Sequence, residues 1–193
     1  MILGVICPNN FSMSWEVVKC WLDISDEWGS ARQVITYSGS TLSNNRNQVF
    51  NEAKKRDTHG LLFIDSDIVF SKEDVEKMDA HLENYDIVTG VYVLGFPPYN
   101  PAIFKRVEGN YDFMPIPASM SRVGACGAGF LGISARAIKI LGDNPFSNQW
   151  EGEVVNGEDV SFSHLCNEKG LKIYVDPSIS VGQIRNQTLY AQT

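Results

Sequence analysis

Apolar runs and polar breaks alternate along the first half of this chain. Ile2 to Cys7 is a short apolar run that ends in Pro8-Asn9-Asn10, the pattern of a buried strand followed by a turn. Ser14 to Trp21 fits a short helix, and Gln33 to Tyr37 fits a second strand. In the segment that follows, Leu42, Arg46, Val49, Phe50 and Ala53 recur at helical spacing and share one face. Arg46 therefore lies on an inward stripe, an unusual place for an arginine. Leu61 to Ile64 reads as a strand. Ser71 with Asp74 three residues on is a capping-box pattern, and Val75, Met78 and Leu82 form the buried stripe of the helix it starts. Ile87 to Val93 completes the series as another strand. Strand–helix alternation of this kind predicts an α/β fold, a central, mostly parallel mixed sheet flanked by helices.

The second half changes character. Phe96 to Pro101 is rich in Pro and Gly, and Ala102 to Phe113 reads as a hairpin around Glu108-Gly109-Asn110. GACGAGFLGIS then leads into a helix from Ser134 to about Leu141, followed by a long loop through Trp150. In the last helix Phe162, Leu165, Cys166 and Lys169 line one face, and Gly170 is its natural stop. Lys172 to Val175 reads as a closing strand. There is no internal repeat and no low-complexity segment.

A length of 193 residues suits one domain, and 44% hydrophobic residues supply a sizeable core. A net charge of -7 argues against a general nucleic-acid binder. Cys7, Cys20, Cys126 and Cys166 are far apart with no C-x-x-C spacing, which argues against a zinc cluster and reads as reduced thiols in a cytoplasmic protein. MILGVICP lacks the basic start of a signal peptide, and no apolar run reaches the roughly 18 residues of a membrane span, so no transmembrane segment is expected.

Against that background LLFIDSDIVF stands out. Asp65 and Asp67 sit at the end of a run that otherwise reads as core. Burying a carboxylate is costly unless it is paired or metal-bound. In open α/β sheets, ligands bind at the carboxyl ends of the strands. An Asp-x-Asp pair there can hold Mg2+ or Mn2+, which in turn holds a diphosphate. The competing reading is an ordinary strand-to-helix turn. Arg46 could meet a phosphate or nucleobase, or form a buried ion pair with Asp65. Pro8 and Asn9 could line a nucleotide pocket or simply turn the chain. Glu158-Asp159 after Gly157 could be plain helix-start acids, or could include a general base for an acceptor hydroxyl. The helix N-terminus is expected to keep Asp159 ionised and weakly basic.

Taken together, DSD at a strand end, SNNRN on the helix before it, GACGAGFL, GED at a late helix and YVDPSISVG resemble GT-A fold glycosyltransferases of the family 2-like type, including the short ones encoded by phages and large DNA viruses. The resemblance covers roughly Ile2 to Ile184. It implies a single GT-A domain over 1–193, or one domain of a longer polypeptide. About 1–100 would be the nucleotide-sugar half and about 101–193 the acceptor half. It implies a metal-dependent, inverting transfer of sugar from a nucleotide sugar, UDP-sugar favoured, to a hydroxyl of a glycan or glycoprotein. If the chain is viral, its setting would be the host cytoplasm.

The resemblance also implies residue roles. Asp67 would bind Mn2+ or Mg2+, with Asp65 helping to hold the metal or the donor ribose. Arg46 would sit near the nucleotide, and Pro8 and Asn9 would border the base. Gly127, Ala128 and Gly129 would allow close approach of the donor sugar or acceptor. Trp150 would stack on an acceptor sugar or act as a lid. Asp159 would be the catalytic base, with Glu158 binding acceptor hydroxyls or supporting the helix. One departure stands out: many relatives place a histidine ligand where this chain has Gln183. A neutral amide oxygen there implies modest metal affinity, and leaves open a non-catalytic nucleotide- or carbohydrate-binding module. A sugar-phosphate nucleotidylyltransferase is disfavoured, because the loop after the first strand lacks the Gly-rich, Arg- and Lys-containing sequence of that class.

Overall fold

The first apolar run, Ile2–Cys7, forms strand β1 and is buried along its whole length. The computed structural model describes residues 1–7, 13–28, 33–95, 97–148, 150–151, 154–155 and 157–184. Helix α1 (Trp15–Trp28) outruns the predicted Ser14 to Trp21, because its buried stripe continues from Val17 and Cys20 to Ile24. Strand β2 (Val34–Ser38), helix α2 (Leu42–Lys54) and strand β3 (Gly60–Asp65) follow the predicted pattern. After the two-residue strand β4 (Ile68–Val69), Ser71 caps helix α3 (Lys72–His81) in a reciprocal capping box with Asp74. Strand β5 spans Ile87–Val91.

The expected hairpin forms as β6 (Ile103–Val107) and β7 (Asn110–Phe113). Its turn uses positive φ at Glu108 and Gly109. Strands β8 (Ser121–Val123), β9 (Ala125–Cys126) and β10 (Phe130–Ser134) lead into helix α4 (Ala135–Leu141). The stretch read as a loop through Trp150 holds a short pair, β11 (Trp150–Glu151) with β12 (Val154–Val155). Two-residue strands carry too little periodicity to be seen in sequence. In helix α5 (Glu158–Glu168) Phe162 and Cys166 point inward as expected, whereas Lys169 lies past the helix end as its exposed C-cap. Strand β13 (Ile173–Ser180) runs beyond the predicted Val175 through a register shift around Pro177. Proline in a strand tolerates such an irregularity, which hides the continuation. Strand β14 (Gly182–Gln183) pairs back on β4.

The seven-stranded sheet has the order β2-β1-β3-β10-β5-β13-β8. Strands β2, β1, β3, β5 and β13 run one way, and β10 and β8 run against them. This is the mostly parallel mixed sheet expected. Leu61 and Phe63 of β3 pack in one core with α2, α4 and α5, while Leu62 and Ile64 pack in the other with α1 and α3. Strands covered on both faces are apolar throughout, which explains the unbroken run of β3.

Two packing details place the site. Phe146 stacks on Phe162 at 4.4 Å and meets Phe63 edge-on at 5.4 Å, so the loop before α5 is tied to β3. Asn47 of α2 clamps the same loop, accepting from Phe146 N at 2.9 Å and donating to Phe146 O at 2.7 Å. Helix α2 can lie this close to the sheet because Gly4 has no side chain; a Cβ there would sit 2.5 Å from Val49 Cγ1. Gly4→Ala is therefore expected to lower stability by about 1–3 kcal/mol in urea denaturation. A change within about 0.5 kcal/mol, the size of an ordinary surface substitution, would show that α2 is not seated by this contact.

Candidate functional site

The Asp65-Ser66-Asp67 turn is where the core strand β3 meets solvent. Its backbone is pinned from two sides: Asp65 N donates to Gly129 O and Ser66 N donates to Ile6 O, both at 2.9 Å. The turn therefore lies at the carboxyl end of β3, the end at which open α/β sheets bind ligands. Arg46 points into it from α2 and is only 2% exposed. Its guanidinium forks onto Asp65, Nη1 to Oδ1 at 2.9 Å and Nη2 to Oδ2 at 3.0 Å. Nη1 also donates to Ala128 O at 3.1 Å, and Nε lies 3.5 Å from Glu158 Oε1. The buried ion pair between Arg46 and Asp65, one of the two sequence readings, forms. Burial alone would lower its pKa, but Asp65 and then Glu158 outweigh that, so the cation is held firmly protonated.

Asp67 is gripped from the chain's C-terminal side. Gln183 Nε2 donates to Asp67 Oδ2 at 3.1 Å, and Ile184 N donates to Asp67 O at 2.8 Å. Gln183 Oε1 is buried and receives no hydrogen bond. A buried amide oxygen without a hydrogen bond, on the side chain that donates to a carboxylate, is an acceptor of the kind a hard divalent cation can take up. Among the described residues no group of three or more His, Cys, Asp or Glu side chains gathers as a metal centre. The oxygens that could hold Mg2+ or Mn2+ here are those of Asp67 and the Gln183 amide. Both oxygens of Asp65 already accept from Arg46, so it has only its outer lone pairs to offer.

Glu158 and Asp159 open helix α5 after Gly157. The expectation that the helix N-terminus keeps Asp159 a weak base is overturned. Burial of its carboxyl, then the charge of Glu158, push it up to about 6, against the pull of the Val160 N–H and Arg46. Desolvation exceeds the dipole because the helix end supplies only fractional charge.

Tyr92, which the sequence reading missed, completes the site. Its hydroxyl accepts from Gly129 N at 3.0 Å. Burial, then the charges of Asp65 and Asp159, raise its pKa well above the usual phenol value. A Cβ on Gly127 would lie 2.1 Å from the Tyr92 hydroxyl, and one on Gly129 would lie 3.0 Å from its ring. The room these glycines leave is thus filled by Tyr92. The apolar context of Tyr92 at the end of a strand gave no sign of this contact. Pro8 and Asn9 lie outside the described residues. Trp150 falls on β11, and its side chain is likewise not described. A separate cleft of about 560 Å³ lies at the opposite end of the sheet, bordered by His59, Asp86, Arg136 and Tyr174. Its Asp86 is ion-paired with Arg136.

No protein-family model and no curated protein matches the chain. Solved structures do match in fold. A197 from STIV aligns over 100% of this chain and 98% of its own, with a TM-score of 0.64 and 18% identity. GalNAc-T7, solved with UDP, GalNAc and Mn2+, aligns over 95% of this chain and 43% of its own, with a TM-score of 0.56 and 11% identity. The inositol-1-phosphate CTP transferase from T. maritima aligns over 95% and 88%, with a TM-score of 0.55 and 8% identity. The chain shares the GT-A-like α/β fold of these structures. Among the described residues no helix is long and apolar enough to cross a membrane.

The raised Asp159 carries a stability signature. Its folded pKa of about 6 exceeds the ordinary 3.8, so between those values the folded protein holds the proton more tightly than the unfolded chain. Stability from this group is therefore full below pH 3.8 and is lost as pH rises through about 6. Asp159→Asn should raise stability at pH 7 by about 1–3 kcal/mol, a gain that vanishes in acid. Urea denaturation of both proteins across this range measures it; an equal difference at all pH values would contradict the burial argument.

Proposed function

We propose that this protein is a metal-dependent, inverting glycosyltransferase that moves a sugar from a nucleotide sugar, UDP-sugar by preference, to a hydroxyl of a glycan or glycoprotein. The observation that supports this most is one connected network. Arg46 joins Asp65, on the turn suited to a diphosphate, to Glu158, the neighbour of the candidate base. The fold shared with GalNAc-T7 supports the same class.

When bound at Asp67 and Gln183, Mg2+ or Mn2+ would supply Lewis-acid neutralisation of the leaving diphosphate. Arg46 positions Asp65, whose outer lone pairs can accept from a donor ribose hydroxyl. Residues 8 and 9 border the base. Ala128, held through its carbonyl by Arg46, and Gly127 and Gly129, packed against Tyr92, brace the turn from behind and do not meet the sugar. Asp159 accepts the proton of the acceptor hydroxyl as its oxygen bonds the anomeric carbon, while the bond to the diphosphate breaks and its electron pair leaves with the phosphate. A base near pH 6 is better matched to this task than an ordinary aspartate. Glu158 and Trp150 contact the acceptor. Residues 1–100 thus serve the donor and 101–193 the acceptor. The buried free thiols Cys7, Cys20, Cys126 and Cys166 fit a reducing, cytoplasmic setting, in a host cell if the chain is viral.

A binding-only module is the second reading, favoured by one observation: Gln183 in place of a stronger ligand, donating its N–H to Asp67. Nucleotide release decides between them. With Mn2+, wild-type protein should gain about 2.7 kcal/mol of thermal stability at a UDP concentration 100 times its dissociation constant. Asp159→Asn should keep that gain and lose about 10²–10⁴ in transfer from a UDP-sugar. Full transfer by Asp159→Asn would remove it as the base, and binding without any nucleotide release by the wild type would favour the module.

A further inference from the structure

Arg46, Arg56 and Arg136 each pair with a carboxylate, namely Asp65, Glu52 and Asp86. The other two arginines among the described residues, Arg106 and Arg122, have no carboxylate within ion-pair distance, and both line one cleft of about 440 Å³. Lys105 lines it too, with Val123, Gly124 and Asn167. No acidic residue is among them. Asp112 lies opposite Lys105 in the β6–β7 register and Glu108 in the turn beyond, yet neither forms an ion pair with the three cations.

The scaffold brings the two segments that carry these residues together at Gly124. β6 carries Lys105 and Arg106, and β8 carries Arg122. A Cβ on Gly124 would sit 2.7 Å from Arg106 N, so only glycine lets the two segments approach this closely. Gly124 N donates to Phe104 O at 2.7 Å, and Asn167 Nδ2 donates to Gly124 O at 2.7 Å and Ser163 O at 2.8 Å. Adjacent like charges repel. In a chain of net charge -7 their convergence is not a by-product of basic composition. Paired guanidinium forks match the oxygens of a phosphate.

We infer that this cleft is an anion subsite for a phosphomonoester carried by the acceptor. Helix α5 connects it to the base: Asn167 lies two turns beyond Asp159, about 12 Å along the axis. A phosphate at that distance would orient an acceptor whose hydroxyl reaches Asp159. The acceptor role rests on the proposed glycosyl transfer, whereas phosphate binding does not.

The test uses the full chain without added metal. Isothermal titration measures binding of glucose 6-phosphate, with glucose as control. Flotation measures binding to phosphatidylcholine vesicles with and without phosphatidic acid. Wild-type protein is expected to bind the phosphate in one of the two forms, the soluble ester or the lipid, which also identifies its source. Arg106→Ala/Arg122→Ala should weaken that binding roughly tenfold or more. Both side chains are exposed, so the variant should fold; Arg106→Gln/Arg122→Gln serves as a second variant with the side-chain bulk retained. Equal binding by wild type and both variants, or no binding of either phosphate by the wild type, would overturn the subsite. UDP binding with Mn2+ should be the same in all three proteins. Its absence alongside phosphate binding would leave the subsite standing and refute the glycosyltransferase reading.

Discussion

The fork of Arg46 on Asp65 is the contact on which the rest of the site depends. A guanidinium this deeply buried survives only with its charge matched by carboxylates and carbonyl dipoles. Here Asp65, Glu158 and the Ala128 carbonyl meet that need from β3, α5 and the segment before β10. One side chain thus draws together three segments far apart in sequence. The neighbouring Asn47 ties the same helix to the loop at Phe146, so α2 holds both ends of the arrangement.

The same pair separates the site's carboxylates into different environments. Asp65 is matched by a cation, and Asp67 is bonded by a neutral amide. Asp159 sits in a desolvated position beside Glu158 and is raised to about 6. Carboxylates in such different surroundings can hold different roles in one site. The buried oxygen of Gln183, beside Asp67, accepts no hydrogen bond.

Much of this was legible in the sequence because periodicity records burial. The α2 stripe placed Arg46 inward, the β3 run delivered Asp65 to a strand end, and Ser71 with Asp74 marked the next helix. What stayed hidden depends on neighbours distant in sequence. The Gly-rich GACGAG segment read as room for a ligand, whereas Tyr92, more than thirty residues earlier, occupies that room. The upward shift of Asp159 was missed because local chemistry, a helix N-terminus, points the other way, and only the folded surroundings reverse it. Short pairs such as β11–β12 and β14–β4 have too few residues to show a period.

The central claim is that the turn at Asp65 to Asp67, closed by Gln183, receives a metal-bound nucleoside diphosphate. Anomalous diffraction at a manganese-sensitive wavelength, from crystals grown with Mn2+ and UDP, tests it most directly. The account predicts a single strong manganese peak in contact with the Asp67 carboxylate and the UDP phosphates, with the Gln183 amide oxygen turned toward it and the Arg46–Asp65 fork intact. Manganese or UDP found elsewhere, with the turn unchanged and Gln183 still donating to Asp67, would contradict it.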